Sequence, residues 1–134
     1  MPTRQVLIVT HGYLHTRPAD TPPADVELDL QRLLKDPARV LPQELRDLTG
    51  QDDLVRRFVY ATAGAPTLTA TTAQLVLELT ALVPQVVVHV GCAGGKHRAV
   101  AIGEGLGLAL EQLGITTEVQ HLHKDLPRVV RAHA

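Results

Sequence analysis

Tryptophan is absent from this sequence, and the other large aromatics number three: Phe58, Tyr13 and Tyr60. Aliphatic side chains must therefore fill the core, and a platform that stacks single-stranded bases on aromatic rings is disfavoured. Cysteine occurs once, as Cys92, so no internal disulfide can form and a reducing compartment is expected. Long hydrophobic runs are also lacking. The N-terminal run Val6-Leu7-Ile8-Val9 meets His11 too soon for a signal peptide, and Glu78 breaks the best interior candidate, residues 75–83. A cytoplasmic protein without a membrane partner is the expectation. Nor is there an excess of one charge: 13 Lys and Arg face 14 Asp and Glu, a formal net charge of -1. Whole-molecule attraction to nucleic acid is not expected, although a local basic patch is compatible with this balance.

What is present fits one globular domain over residues 1–134, with 45% hydrophobic and 20% charged residues. Residues 4–10 are apolar on both faces and predict a central strand. A long loop with Gly12, Pro18, Pro22 and Pro23 follows, of a length that is often functional. Val26, Leu28 and Leu30 alternate with Glu27 and Asp29, the pattern of a half-exposed strand. Residues 35–50, with Pro37, Pro42 and Gly50, read as irregular, and Asp52-Asp53 can start a short helix to about Ala61. Leu68, Thr72, Leu75, Val76, Leu79 and Leu82 give a helix over 67–83, ended by Pro84. Val86, Val87 and Val88 lead a strand to Gly91. A helix over 97–113 has Ala99, Ile102, Leu106, Ala109, Leu110 and Leu113 inward and Gly114 at its close. Residues 115–122 form another strand, and a last short helix is expected near Asp125 and Pro127. This order predicts an α/β fold, a three-layer sandwich around a mostly parallel sheet of four or five strands.

Chemistry concentrates where the valine strand meets the following helix, at Gly91-Cys92-Ala93-Gly94-Gly95-Lys96-His97-Arg98. Ligands of open α/β sheets gather at the carboxyl ends of strands. Glycines let backbone N–H groups turn inward, and a helix N-terminus adds free donors and positive potential. Cations at a helix start oppose its dipole, a conflict that a bound anion would relieve. Arg98 is of a type suited to grip phosphate oxygens in pairs. The loop is not a Walker A motif, because Val90 stands at the first glycine and His97 at the magnesium-binding hydroxyl. Cys92 and Arg98 have the Cys-x5-Arg spacing of cysteine phosphatases, in which a thiolate attacks phosphorus. Gly91 and Ala99 replace the histidine and hydroxyl usual beside that pair, so this enzyme reading, with Cys92 and Arg98 catalytic, is the alternative.

The same loop resembles the G-C-T-G-G-[KQ]-H-R-S-V stretch of the C-terminal domain of the RNase adapter RapZ family. Thr10-His11-Gly12-Tyr13 resembles its S-F-G-[FY], and Leu45-Arg46-Asp47-Leu48-Thr49-Gly50 its L-R-x-x-T-G. Residues 119–126, ending His123-Lys124-Asp125-Leu126, resemble its strand and H-R-[DT]-L. The resemblance covers about residues 4–131. It implies an α/β domain that self-associates and binds an amino-sugar phosphate and regulatory RNA. Family members usually carry an N-terminal P-loop domain as well; a separate P-loop nucleotide-binding protein is then a candidate partner, and ATP binding is not assigned to this chain. By carry-over Gly94, Gly95, Lys96, His97 and Arg98 would hold phosphate, with Gly91, Cys92, Ala93, His11, His123 and Lys124 around them. The family's R-F-L-P-N-P-H is here Arg32-Leu33-Leu34-Lys35-Asp36-Pro37-Ala38, and Leu14 replaces a basic residue. These departures bear on the sugar more than on the phosphate. The basic tail is reduced to Arg128 and Arg131, which bears on RNA.

Strand ends could gather His11, His89, His121 and Cys92 as metal ligands. No dense ligand motif accompanies them, so neither a metal nor another cofactor is expected. His97 and His123 beside a phosphate would favour their charged forms, so ligand affinity is expected to rise as pH falls. The leading expectation is a non-catalytic regulatory module for a phosphorylated small molecule, with a phosphatase and an RNA-binding adapter as alternatives.

Overall fold

The computed structural model describes residues 4–34 and 46–128. Strands β1 (Val6–Gly12), β2 (Val26–Asp29), β3 (Val86–Cys92) and β4 (Thr117–His121) form one sheet in the order β2-β3-β1-β4. All three pairings are parallel, which confirms the α/β sandwich expected from the sequence. β1 and β3 lie at the centre and are buried along their whole length. That is why both read as unbroken apolar runs rather than as alternation. Leu30 falls just beyond β2, where its N–H bonds to Gly91 O at 2.7 Å and its side chain is wholly buried.

Three helices, α1 (Asp53–Tyr60), α2 (Ala65–Leu79) and α3 (Arg98–Gln112), complete the regular elements among the described residues. α3 packs on β1, β3 and β4, and both α1 and α2 pack against α3. The sheet face beneath α3 carries Ile8, Thr10 and Val119: a Cβ at Gly103 would meet Thr10 at 2.4 Å, and one at Gly107 would meet Val119 at 2.8 Å. Those glycines, inside a helix, bring α3 down onto the sheet.

On α2 the inward positions are Ala65, Thr69, Thr72, Ala73 and Val76. Thr72 and Val76 of the expected stripe face inward, but Leu75 is 44% exposed, and Leu82, 77% exposed, lies beyond the helix, which ends at Leu79 rather than near residue 83. α2 packs on another helix, and small side chains allow a closer approach than leucines do. Leu113, placed inward by periodicity, is 49% exposed because the helix ends before it at Gln112. The expected helix near Asp125 is not formed over residues 125–128, and its remainder, with Arg131, lies outside the described residues, as do residues 35–45 of the irregular segment.

A close backbone contact joins the ends of the two central strands. A Cβ at Gly12 would lie 2.3 Å from the Gly94 carbonyl carbon, and one at Gly95 would lie 2.4 Å from Gly12 N. Gly95 also has φ of 72°, in the left-handed region that favours glycine. Gly94 differs, since a Cβ there meets nothing within 4 Å. We expect Gly12→Ala and Gly95→Ala each to lower unfolding stability by about 1–3 kcal/mol, and Gly94→Ala to leave it nearly unchanged. Urea denaturation of the three variants checks this.

Candidate functional site

The loop following β3 is held by its own carbonyls. Cys92 O accepts from Tyr13 N at 2.9 Å and Ala93 O from Leu14 N at 3.0 Å, so this loop and the one after β1 run together. α3 then starts with His97 at its N-cap, with no side-chain cap and no acidic residue in the first turn. Its first N–H groups and dipole favour an anion. A cleft of about 100 Å³ opens there, lined by Leu14, Cys92, Ala93, Gly94, Lys96, His97, Arg98, Leu126, Pro127 and Arg128.

Six of the residues singled out from the sequence, Cys92, Ala93, Gly94, Lys96, His97 and Arg98, line this cleft. Gly91 and Gly95 stand behind it, Gly91 under Tyr13 and His11 and Gly95 under Gly12. Lys124 borders it through its carbonyl, while its ammonium pairs with Asp125 at 2.9 Å. His123 turns toward the loop after β1: its Nδ1 accepts from Gly12 N at 2.8 Å and its Nε2 donates to Thr16 O at 3.2 Å. His11 lies on the sheet face away from α3. Leu126, Pro127 and Arg128 were not singled out as lining residues; only the sheet order, which sets β4 beside β1, brings them to the loop after β3.

Each cation of the loop reaches a different segment of chain. Lys96 Nζ donates to Lys124 O at 2.9 Å and Leu126 O at 3.3 Å. His97 Nε2 donates to Arg46 O at 2.7 Å. Arg98, 4% exposed, donates through one terminal nitrogen to Leu30 O at 2.9 Å and Gln31 O at 3.3 Å. Carbonyl dipoles thus offset part of the conflict between these cations and the α3 dipole. Among the described residues no carboxylate lines the cleft. Gly50, the last residue of the L-R-x-x-T-G-like stretch, sits on the start of α3: its N–H bonds to Lys96 O at 2.9 Å, and a Cβ there would lie 2.3 Å from Ala101 N. Leu45 of that stretch lies outside the described residues.

Cys92 lines the cleft but belongs to the hydrophobic core cluster and is 3% exposed. Of the four residues weighed as metal ligands, His11 and His89 share the open face of the sheet, whereas His121 and Cys92 lie under α3. His121 bonds through Nδ1 to Thr10 Oγ1 at 2.7 Å and through Nε2 to Glu104 at 2.6 Å. Burial acts to raise the Glu104 carboxyl, but hydrogen bonds from His121 and Gln51 outweigh it and hold it below the usual range. Hydroxyl, imidazole and carboxylate stand in the order of an acyl-transfer triad. Thr10 is wholly buried, so this chain ties α3 to the sheet.

The open face collects a second cluster. His11 is wholly buried, and neither ring nitrogen has a hydrogen-bond partner. It stands where the resembled stretch has phenylalanine, which fills such a place without polar atoms. Burial first, and then the Arg17 guanidinium, lower its pKa to about 4. Burial likewise lowers that of His123. In this arrangement His123 Nδ1 accepts from Gly12 N, as a neutral ring does. Burial and the nearby Glu27 push the Tyr13 hydroxyl up to about 12.

Arg98→Ala leaves several buried carbonyls without their donor, and we expect a loss of about 3 kcal/mol in chemical denaturation. His11 binds a proton in the unfolded chain below about 6.5 and in the folded chain only near 4. Its contribution to stability is therefore complete above pH 6.5 and is lost as pH falls toward 4. Melting temperature should fall across that window, and less steeply in His11→Phe, as calorimetry at stepped pH would show.

The model of the RapZ C-terminal domain family matches residues 4–126. A nucleotide-binding protein of Thermobifida fusca is 40% identical over 126 residues, covering 90% of this chain and 40% of the relative. One of Salinispora tropica is 40% identical over 129 residues, covering 92% and 40%. One of Mycobacterium leprae is 37% identical over 134 residues, covering 94% and 42%. The chain thus spans about two fifths of the length of these curated relatives. With β1, the glycine loop and β4 all inside the matched residues, the chain belongs to the RapZ C-terminal domain family.

Proposed function

We propose that this domain binds a phosphate-bearing small molecule in the cleft at the start of α3. One observation carries the reading: the cleft meets the N-terminus of a 15-residue helix without a side-chain cap and is lined by Lys96, Arg98 and Arg128, with no carboxylate among the described residues. Helix donors, dipole and three fixed cations converge on a small space, which is the physical description of an anion site. Gly94 is the open position on its wall. A volume of about 100 Å³ suits a phosphoryl head, with the rest of the ligand lying over Leu14, Leu126 and Pro127.

The relatives' names speak of nucleotides, but this chain covers about two fifths of those proteins, and a sugar phosphate offers the same phosphoryl group. Binding without turnover is favoured, because Cys92 lies in the core and an Arg98 terminal nitrogen is committed to backbone carbonyls. A phosphatase would instead hydrolyse a generic phosphomonoester and lose that activity on Cys92→Ser. An RNA adapter would retain RNA in a strongly salt-dependent way.

Thermal-shift titration with inorganic phosphate, an amino-sugar phosphate and AMP tests the reading. Ligand at a hundredfold excess over Kd should add about 2.7 kcal/mol of stability. Arg128→Gln should weaken binding about tenfold, roughly the worth of one charge-assisted hydrogen bond. Gly94→Val should abolish binding while the free protein melts as before. Arg98→Ala is a poor probe, since it destabilises the fold. The reading fails if no phosphate compound shifts the melting temperature of the wild type.

A further inference from the structure

We propose that His11, Glu27 and His89 form a site for a divalent first-row transition ion of the zinc class, for which the Arg17 guanidinium is the competing occupant. One ligand atom from each of the three lies within 4.8 Å of the other two. None of them lines the cleft at α3, so the ion would be a second ligand of the domain.

The three residues come from adjacent strands, and the register fixes their grouping. Glu27 pairs with His89 across β2 and β3, and His11 pairs with Gly91 across β1 and β3. Gly91 leaves the room that the His11 ring occupies: a Cβ there would lie 2.8 Å from Nε2. Tyr13 packs edge-on against that ring, with centroids 4.7 Å apart. His11 therefore presents two buried, unpartnered nitrogens from a fixed ring.

His89 is already in the tautomer a metal needs. Its Nε2 donates to Pro22 O at 2.8 Å, while its Nδ1 accepts from Arg17 at 2.8 Å. A ligating imidazole commonly donates its other N–H to a carbonyl in this way. The same Arg17 nitrogen lies 2.9 Å from Glu27 Oε1, so one cationic N–H group bridges two of the three ligand atoms. His89 Nδ1 and Glu27 Oε1 are 3.9 Å apart. Ligands at 2.0–2.2 Å around tetrahedral zinc stand about 3.3–3.6 Å apart, so a small side-chain shift closes the site. Arg17 is 36% exposed on a loop, so an ion would displace it toward solvent at the cost of its contacts with His89, Glu27 and the Tyr13 ring, and Glu27, 44% exposed, marks the entry. Two imidazoles and one carboxylate select zinc, cobalt or nickel over magnesium or calcium, and solvent would complete the coordination.

Cobalt(II) titration of chelator-treated protein, followed by its visible absorption and by competition with zinc, tests the site. One equivalent should bind and be displaced by zinc. His89→Ala and His11→Phe should each weaken binding at least a hundredfold, while His121→Gln and His15→Gln leave it unchanged. Glu27→Gln, on the surface, should also weaken it and serves if a core variant fails to fold. Arg17→Gln should tighten binding about tenfold. Absence of one-equivalent binding, binding indifferent to His89 and Glu27, or no gain in Arg17→Gln would each overturn the proposal.

Discussion

Two loops end the central strands β1 and β3, and their backbones meet without room for a single side-chain carbon between them. Gly12 lies against Gly94 and Gly95 at distances that a Cβ would reduce to 2.3–2.6 Å. Parallel neighbours present their carboxyl ends on the same edge of the sheet, so two loops must leave one narrow place together. Glycines let them do so while α3 begins directly behind. The cleft, the path of residues 13–25 and the burial of Cys92 follow from that closeness. A larger residue at either glycine would push the start of α3 away from the sheet and open the site.

The cationic triplet Lys96-His97-Arg98 has a structural task beside the chemical one its composition suggested. The three side chains radiate from one helix start to carbonyls after β4, before α1 and after β2. Each segment is a connection without regular structure, and each gains a charge-assisted or imidazole hydrogen bond to a rigid element. The same bonds keep positive charge beside the cleft. Fold stabilisation and the positive charge of the cleft therefore share residues, and a simple charge deletion there does not separate them.

The two faces of the sheet divide the polar residues by the parity of their position. Thr10 and His121 lie under α3 and form a satisfied chain of hydrogen bonds with Glu104 of that helix. His11, Glu27 and His89 lie on the other face, beneath the loop after β1, with His11 unsatisfied. Buried polar groups are ordinarily paired. An orphan imidazole beside a carboxylate, a second imidazole and a guanidinium, with the Tyr13 hydroxyl also unpartnered, departs from that rule.

Much was legible before any coordinates. Among the described residues, hydrophobic patterning located the four strands and two of the three helices to within a few residues, because burial on both faces or on one stripe dictates which residue types are tolerated, and the Asp52-Asp53 start located α1. The loop at 91–98 was legible because glycines and cations at a strand-to-helix junction have few other uses. What periodicity left open was direction: it could not tell that α2 turns Ala65, Thr69 and Ala73 rather than Leu75 inward, since that depends on the packing partner. Nor could it say that Arg98 faces backbone carbonyls, that Arg128 comes to the cleft, or that His11 and His121 part to opposite faces. Those facts belong to strand order and register, which join residues some 60 to 110 positions apart. The sequence by itself determined the parallel α/β frame and the edge where its glycines and cations gather, because both follow from local burial and turn requirements. Only the tertiary structure decided which side chains share a site, because that is set by long-range contacts no local pattern encodes.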